Sequence, residues 1–160
     1  MKRQKILLFG STSEICKDLM PKLKNGDNDI NCFHRSRSKY YNKTEDEKYI
    51  FLNHTTNINN KRFDKIFQNW DVAIFFYGDF GEIGNFHEIK YEKWKKSFDI
   101  NLFFITRRLH RLLYHSDLKK TKSVITFSGS GTNGPSNNYS SYTIAKIALI
   151  KLSELMDSEY

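Results

Sequence analysis

The chain has 160 residues, of which 39% are hydrophobic and 15% aromatic, enough for one domain with a packed core. Its 26 Lys and Arg against 18 Asp and Glu give a net charge of +8. No run of five like charges and no basic stripe with aromatics occurs, so we expect no nucleic-acid partner. No apolar run reaches a membrane span or the core of a signal peptide, and we expect a cytoplasmic protein with no membrane partner.

Apolar segments of strand length alternate with longer segments of helical period. The predicted strands cover residues 5–10, 30–35, 49–53, 71–78 and 123–129, and the predicted helices cover 13–24, 59–69, 91–114 and 139–158. Strands that are apolar on both faces are typical of parallel sheets covered on both sides. The alternation therefore predicts a single α/β domain over residues 1–160, with a Rossmann-like doubly wound parallel sheet in three layers, α/β/α.

The turn after the first predicted strand is rich in small polar residues. Gly10 suits a tight turn, and Thr12 and Ser13 can cap the following helix or bind a phosphate. The usual dinucleotide-binding pattern would place glycines where Glu14 and Cys16 stand. The turn alone is therefore weak evidence, and an ordinary capped helix is an equally supported interpretation. The cysteines, Cys16 and Cys32, lack metal-ligand spacing, and we predict no metal site and a core position for Cys32.

The end of the second predicted strand has no acidic residue. It carries Arg35, Ser36 and Arg37 after His34. In dinucleotide-binding folds an acid at this point binds the ribose 2′-OH, whereas Arg accommodates a 2′-phosphate, because guanidinium matches phosphate oxygens. The sequence therefore favours NADP, with NAD as the alternative cofactor and a solvated basic turn as the alternative interpretation.

Tyr142 and Lys146 lie four residues apart in the last predicted helix and therefore share one face. An ammonium beside a phenol favours the phenolate, which would lower the tyrosine pKa from about 10. Such a pair can move a proton to or from a carbonyl or alcohol oxygen while a hydride moves at carbon. The pair follows the fifth strand and a Ser/Gly loop, a context that raises it above a chance surface pair.

With these residues in place, the whole chain resembles the short-chain dehydrogenases/reductases. Tyr142 and Lys146 match the family's YxxxK motif, and Asn101 matches the Asn of its fourth helix. The resemblance implies that Tyr142 transfers the proton, that Lys146 lowers the Tyr142 pKa and holds the nicotinamide ribose, and that Asn101 supports a proton-relay water. The position of the family's catalytic serine falls on Gly129, so the resemblance leaves that role open between Ser128 and Ser130.

The resemblance also implies a cofactor site in a single NAD(P)-binding domain. Asn53 stands where the family often has an Asp that binds the adenine amine, and Gly78 is the one match to the family's N-N-A-G motif. The implied cofactor-binding residues are Gly10, Thr12, Ser13, Ile15, Arg35, Ser36, Arg37, Asn53, Gly78, Tyr142 and Lys146. The fourth and fifth helices make the usual dimer interface in the family, so we expect a homodimer or homotetramer.

Domains of this family continue for about another 70–100 residues, so we expect a fragment or a shortened protein that is truncated after helix five. The missing strands would leave a sheet edge uncovered. Two functions remain open. One is an NADP(H)-dependent oxidoreductase for a small carbonyl or alcohol substrate, and the other is a non-catalytic nucleotide-binding relative. His87, in the loop 81–88, is predicted to lie on a surface loop rather than in the site.

Overall fold

A computed structural model describes residues 3–34, 48–51 and 61–160. The elements in chain order are β1 (Lys5–Phe9), α1 (Glu14–Asn25), β2 (Asp29–His34), β3 (Lys48–Phe51), α2 (Lys61–Gln68), β4 (Val72–Phe75), α3 (Tyr91–Phe98), a π-helical turn (Asp99–Phe103), α4 (Phe104–His115), β5 (Ser123–Thr126) and α5 (Ser140–Glu159). The predicted elements are confirmed in type and order, with shifts at their ends.

The strands form one sheet in the order β3-β2-β1-β4-β5. Strand β1 pairs in parallel with β2 and with β4, and β2 pairs in parallel with β3. The strand order reverses beside β1, the first strand, which is the order of the doubly wound dinucleotide-binding folds. The predicted Rossmann-like α/β class is confirmed.

The predicted fourth strand, residues 71–78, is longer than β4. Phe76 still donates its backbone N–H to Phe9 O at 2.8 Å, but the chain then leaves the ladder. Phe76 and Tyr77 remain buried outside the strand, at 8% and 6% exposure. The prediction was too long because apolar residues indicate burial and do not by themselves indicate strand pairing.

The chain divides into two compact units. The first comprises Met1–Phe76 and Arg111–Ile125, and the second comprises Tyr77–His110 and Thr126–Tyr160. The single domain remains a prediction. The sheet lies in the first unit except for the last residue of β5, and the second unit contains α3, the π-helical turn and α5, which pack on one another.

A row of stacked phenyl rings crosses the centre of the first unit. Phe9 is in register with Phe33 on one side and with Phe75 on the other, and its ring centroid lies 4.5 Å and 4.6 Å from theirs. Phe67 from α2 tilts against Phe9 and Phe33. Each such pair adds about 0.5–1.5 kcal/mol beyond the burial of its area, so the row fixes the carboxyl ends of three strands.

Both cysteines lie in the core of the first unit. Cys16 and Cys32 are 0% and 1% exposed, which confirms the predicted core position of Cys32. Burial raises the pKa of the Cys16 thiol to about 11 and that of Cys32 to about 12. Thiols with such pKa values stay protonated at neutral pH and act as small apolar groups.

The predicted helix 91–114 is interrupted in its backbone hydrogen bonding and not in its course. Residues 99–103 form a π-helical turn between α3 and α4, and the N–H of Phe104 donates to Asp99 O, five residues back. Ile105 and Leu109, four residues apart, are both buried, as the predicted helical period requires. Turns of this type are frequent at functional sites.

No helix among the described residues is long and apolar enough to cross a membrane. Within the same residues, no group of three or more His, Cys, Asp or Glu side chains is placed to hold a metal ion.

At the edge of the sheet, Val124 and Ile125 of β5 are 38% and 42% exposed, so this strand presents apolar side chains at the surface.

Candidate active site

The predicted catalytic residues Asn101, Tyr142 and Lys146 all lie in the second unit and are all buried. Asn101 sits in the π-helical turn and is 0% exposed. Its Oδ1 accepts the N–H of Asp79 at 3.0 Å, and its Nδ2 donates to Asp79 O at 2.8 Å and to Ser97 O at 2.9 Å. A buried side-chain amide whose oxygen and nitrogen are both hydrogen-bonded is held rigidly in place. The Asn101 side chain therefore positions the segment that follows β4, while the relay water implied by the resemblance stays a prediction.

That segment turns sharply after Asp79. The carboxylate Oδ1 of Asp79 accepts the N–H of Gly81 at 2.8 Å. Gly81 has φ +69°, and a Cβ at this position would lie 3.1 Å from Ser97 Oγ. A left-handed backbone with so little space favours glycine. The turn holds Phe80 with its ring centroid 5.0 Å from that of Tyr142.

Lys146 is a buried ammonium with two backbone acceptors. It is 2% exposed, and its Nζ donates to Tyr77 O at 3.2 Å and to Phe127 O at 3.0 Å. Since an ammonium has three N–H donors, one remains. Burial lowers the pKa of Lys146 to about 8, because the ammonium loses hydration and no carboxylate among the described residues compensates that loss.

Tyr142 is 9% exposed, and burial raises its pKa above the ordinary value of 10. The Lys146 Nζ lies 5.8 Å from the centroid of the Tyr142 ring. The predicted lowering of the Tyr142 pKa is wrong for this structure, because desolvation dominates and the ammonium bonds to backbone carbonyls instead of to the phenol. Within the described part of the chain, the Tyr142 hydroxyl has no hydrogen-bond partner, so it is a neutral, available proton donor at neutral pH.

Gly129 leaves the space that the Tyr142 ring fills. A Cβ at position 129 would lie 2.6 Å from Tyr142 Cε1 and 2.7 Å from Cζ, closer than real atoms approach. Thr132 Oγ1 donates to Gly129 O at 3.0 Å and holds the loop there. A serine at the position implied by the resemblance would collide with the tyrosine. Ser128 and Ser130 are both exposed, and neither is hydrogen-bonded to Tyr142, so the serine role remains a prediction.

The turn after β1 lies in the first unit. Gly10 has φ +83° and Ser13 caps α1, its Oγ accepting the N–H of Cys16 at 3.1 Å. Of the two roles open to Ser13, the structure shows the cap. The N–H groups of Glu14 and Ile15, at the first positions of α1, have no acceptor inside the helix. Such groups suit a nucleotide diphosphate, and the backbone at this turn therefore fits the implied cofactor.

Of the remaining cofactor residues, some lie among the described residues and the others lie outside them. Gly78 is exposed, and a Cβ there would lie 3.9 Å from Lys146 Nζ, so a ligand could approach the backbone closely beside the ammonium. Thr12 is half-buried at the turn and Ile15 is 56% exposed. Arg35, Ser36, Arg37 and Asn53 lie outside the described residues.

Sequence reasoning missed the residues that position the site. Asp79, Phe80 and Ser97 gave no recognised motif, although Phe80 stands two residues after Gly78 at the carboxyl end of β4, where open α/β sheets bind ligands. His87 has 81% of its side chain exposed, which confirms its predicted place on a surface loop.

Solved short-chain dehydrogenases/reductases share this fold along almost the whole chain. One from Saccharomyces cerevisiae is 23% identical with a TM-score of 0.76, and the match covers 98% of this chain and 66% of that one. One from Streptomyces avermitilis is 19% identical with a TM-score of 0.79, covering 99% and 61%. One from Shigella flexneri, solved in complex with NADP, is 16% identical with a TM-score of 0.82, covering 100% and 73%.

These likenesses confirm the predicted resemblance at the level of the fold. The chain spans less than two thirds of the length of the first two structures. By sequence, no protein-family model and no curated protein matches the chain.

Replacing Gly129 by Ala should destabilise the chain, because the added methyl group meets the buried Tyr142 ring. Overpacking of this kind costs about 1–3 kcal/mol. The free energy of unfolding from urea titrations measures it. Gly134→Ala is the matched control, since nothing lies within 4 Å of its added Cβ, and it should change stability by less than about 0.5 kcal/mol. Equal effects of the two variants would contradict the packing of Tyr142 against Gly129.

Lys146→Met should remove a pH-dependent gain in stability. The folded chain releases the Lys146 proton near pH 8 and the unfolded chain near 10.5, so burial of the charge penalises folding fully below pH 8. The penalty is relieved as pH rises from 8 to 10.5. Between pH 7 and 10 the native chain should therefore gain about 2–3 kcal/mol that the variant does not.

The measurement is urea unfolding at both pH values under reducing conditions. Lys151→Met removes an exposed lysine of the same helix and should keep the pH dependence of the native chain. The same pH dependence in Lys146→Met and in the native chain would count against a buried, cationic Lys146.

Proposed function

We propose that the chain is an NADP(H)-dependent oxidoreductase of the short-chain dehydrogenase/reductase type, with Tyr142 as the acid/base that interconverts a carbonyl and an alcohol. The observation that carries the proposal is the available Tyr142 hydroxyl. Tyr142 is buried and neutral, its hydroxyl has no hydrogen-bond partner among the described residues, and it lies beside the fixed Lys146 ammonium.

 A proton donor in this state needs only a substrate oxygen as its acceptor.

In the reducing direction, bound NADPH would supply the hydride for the carbonyl carbon. Tyr142 Oη donates its proton to the carbonyl oxygen as the C=O double bond becomes a single bond. Carbonyl, hydride and proton thus become the alcohol, and Tyr142 regains its proton from solvent. The Lys146 ammonium, 5.8 Å from the Tyr142 ring, stabilises the negative charge that the phenol acquires in this step.

Each of the two units contains some of the residues that we propose to bind the cofactor. In the first unit, Gly10, Thr12, Ser13 and Ile15 would receive the diphosphate at the N-terminus of α1, and the NADP complex of the Shigella flexneri relative supports this choice of cofactor. Arg35, Ser36 and Arg37 would bind the 2′-phosphate and Asn53 the adenine. In the second unit, the remaining Lys146 donor would bind a ribose hydroxyl beside Gly78.

A non-catalytic nucleotide-binding protein is the second candidate function. Gly129 carries no hydroxyl group, and the Tyr142 ring fills the space beside it. A chain without a serine that orients the substrate oxygen would bind nucleotide and turn over nothing. The two candidates differ in turnover, not in nucleotide binding.

We also propose that the chain forms a homo-oligomer through α4 and α5. The apolar side chains Ile144, Ile147 and Leu155 of α5 are 45–49% exposed, and a helix with such an uncovered stripe favours pairing. Sedimentation velocity should show a dimer or tetramer that Ile144→Asp converts to monomer. Leu118→Asp, a change at a residue 50% exposed outside these helices, should leave the assembly intact. A monomeric native chain at micromolar concentration would exclude the interface.

The oxidoreductase proposal predicts nicotinamide binding and Tyr142-dependent turnover. NADPH should bind the purified chain, and its affinity should exceed that of NADH, as nicotinamide fluorescence measures. Tyr142→Phe should keep the affinity for NADPH and lose about 10²–10⁴-fold in kcat, the usual contribution of a general acid. Tyr91→Phe removes a hydroxyl from a tyrosine 69% exposed on α3 and should retain full kcat.

No binding of NADPH or NADH at millimolar concentration would overturn both candidate functions. Binding without NADPH oxidation across a panel of aldehydes and ketones would select the non-catalytic candidate.

A further inference from the structure

We infer that Phe80 and Tyr139 form an aromatic wall beside Tyr142, and that the substrate is an aryl carbonyl compound instead of a polyhydroxylated one. The inference rests on the proposed function and names its substrate class. Phe80 is 57% exposed although its ring lies 5.0 Å from that of the buried Tyr142. A large apolar ring left open to solvent next to a proton donor is suited to covering by an apolar ligand.

The backbone on both sides of Phe80 is fixed. Asp79 before it is bound through its N–H and its carbonyl to the buried amide of Asn101. Gly81 after it donates to the Asp79 carboxylate at 2.8 Å and lies against Ser97. These bonds fix the backbone from which the Phe80 side chain projects, and the ring contacts with Tyr142 and Tyr139 hold the ring itself.

A second loop completes the wall. Gly84 donates its N–H to Asn138 O at 3.0 Å, and Asn138 adopts a left-handed φ of +69°. This joins the loop after β4 to the residue just before Tyr139. The Tyr139 ring then lies 5.9 Å from Phe80 in an edge-to-face arrangement, with an interplanar angle of 69°.

The geometry of the wall suits a flat ring. Aromatic rings prefer edge-to-face or offset partners with centroids about 4.5–7 Å apart, and the exposed Phe80 ring offers such a surface. A polyhydroxylated ligand would need hydrogen-bonding groups, whereas Phe80 offers none. Each aromatic contact strengthens binding by about 2- to 10-fold.

Phe86 provides a matched control on the same loop. It is 69% exposed and its ring lies 6.1 Å from that of Trp94. It is an aromatic residue of the same type and similar exposure, and no ring contact joins it to Tyr142 among the described residues. If the ligand bound to any exposed apolar ring, Phe86→Ala and Phe80→Ala would weaken its binding equally. A specific substrate contact would be lost only in Phe80→Ala.

The test is ligand binding by saturation-transfer NMR on the full chain, with acetophenone and dihydroxyacetone as probes. Acetophenone should bind more tightly than dihydroxyacetone. Phe80→Ala should weaken acetophenone binding by about 10-fold, and Phe86→Ala by less than about 2-fold. Phe80→Leu keeps most of the apolar volume without the ring and should give an intermediate loss, and it serves in place of the alanine variant if that chain does not fold.

Equal losses in the Phe80 and Phe86 variants, or tighter binding of dihydroxyacetone, would overturn the inference. NADPH oxidation, measured on the same variants, distinguishes failure of the aryl site from failure of the oxidoreductase function. Phe80-dependent acetophenone binding without any NADPH oxidation would refute the oxidoreductase and leave the aryl site. NADPH oxidation with dihydroxyacetone and no acetophenone binding would refute the aryl site alone.

Discussion

The second unit depends on the buried ammonium of Lys146. Its two hydrogen bonds to Tyr77 O and Phe127 O connect the chain just after β4 with the chain just after β5. The free energy cost of burying this charge without hydrogen bonds would be much larger than the net stabilisation that the two bonds provide. The same lysine sits one helical turn from Tyr142 on α5, so the interaction that joins the two segments also places a positive charge beside the proposed proton donor.

Asn101 performs the neutral counterpart of this role. Its amide satisfies both backbone groups of Asp79, and the π-helical turn gives the side chain its place in the helix. Together, Lys146 and Asn101 fix residues 77 and 79, the two sides of Gly78. The short stretch from Tyr77 to Phe80 is therefore rigid where a ligand would meet it, as a pre-organised site requires.

The sequence was sufficient to predict the order of elements, the sheet class and the burial of Cys32, because each follows from hydrophobic periodicity. The π-helical turn could not be predicted, since the helical period of the segment 91–114 continues across it. Spacing placed Tyr142 and Lys146 on one face but could not show which acceptors the ammonium would bond. That information depends on Tyr77 and Phe127, which are remote in sequence, and the predicted direction of the Tyr142 pKa failed for this reason. Gly129 was visible only as a missing serine, whereas the structure shows the ring that excludes one.

Burial favours the uncharged form of both ionisable groups of the site, and it therefore shifts their pKa values in opposite directions. It raises the pKa of Tyr142 and lowers that of Lys146 to about 8, so it favours a neutral phenol and disfavours the charged form of the lysine. At pH 7 the lysine is still cationic and the tyrosine fully protonated, the combination that a proton donor needs. Oxidation of an alcohol would instead begin from the phenolate, which burial disfavours most. Under the proposed function, the free chain therefore holds Tyr142 in the protonated form from which carbonyl reduction starts near neutral pH.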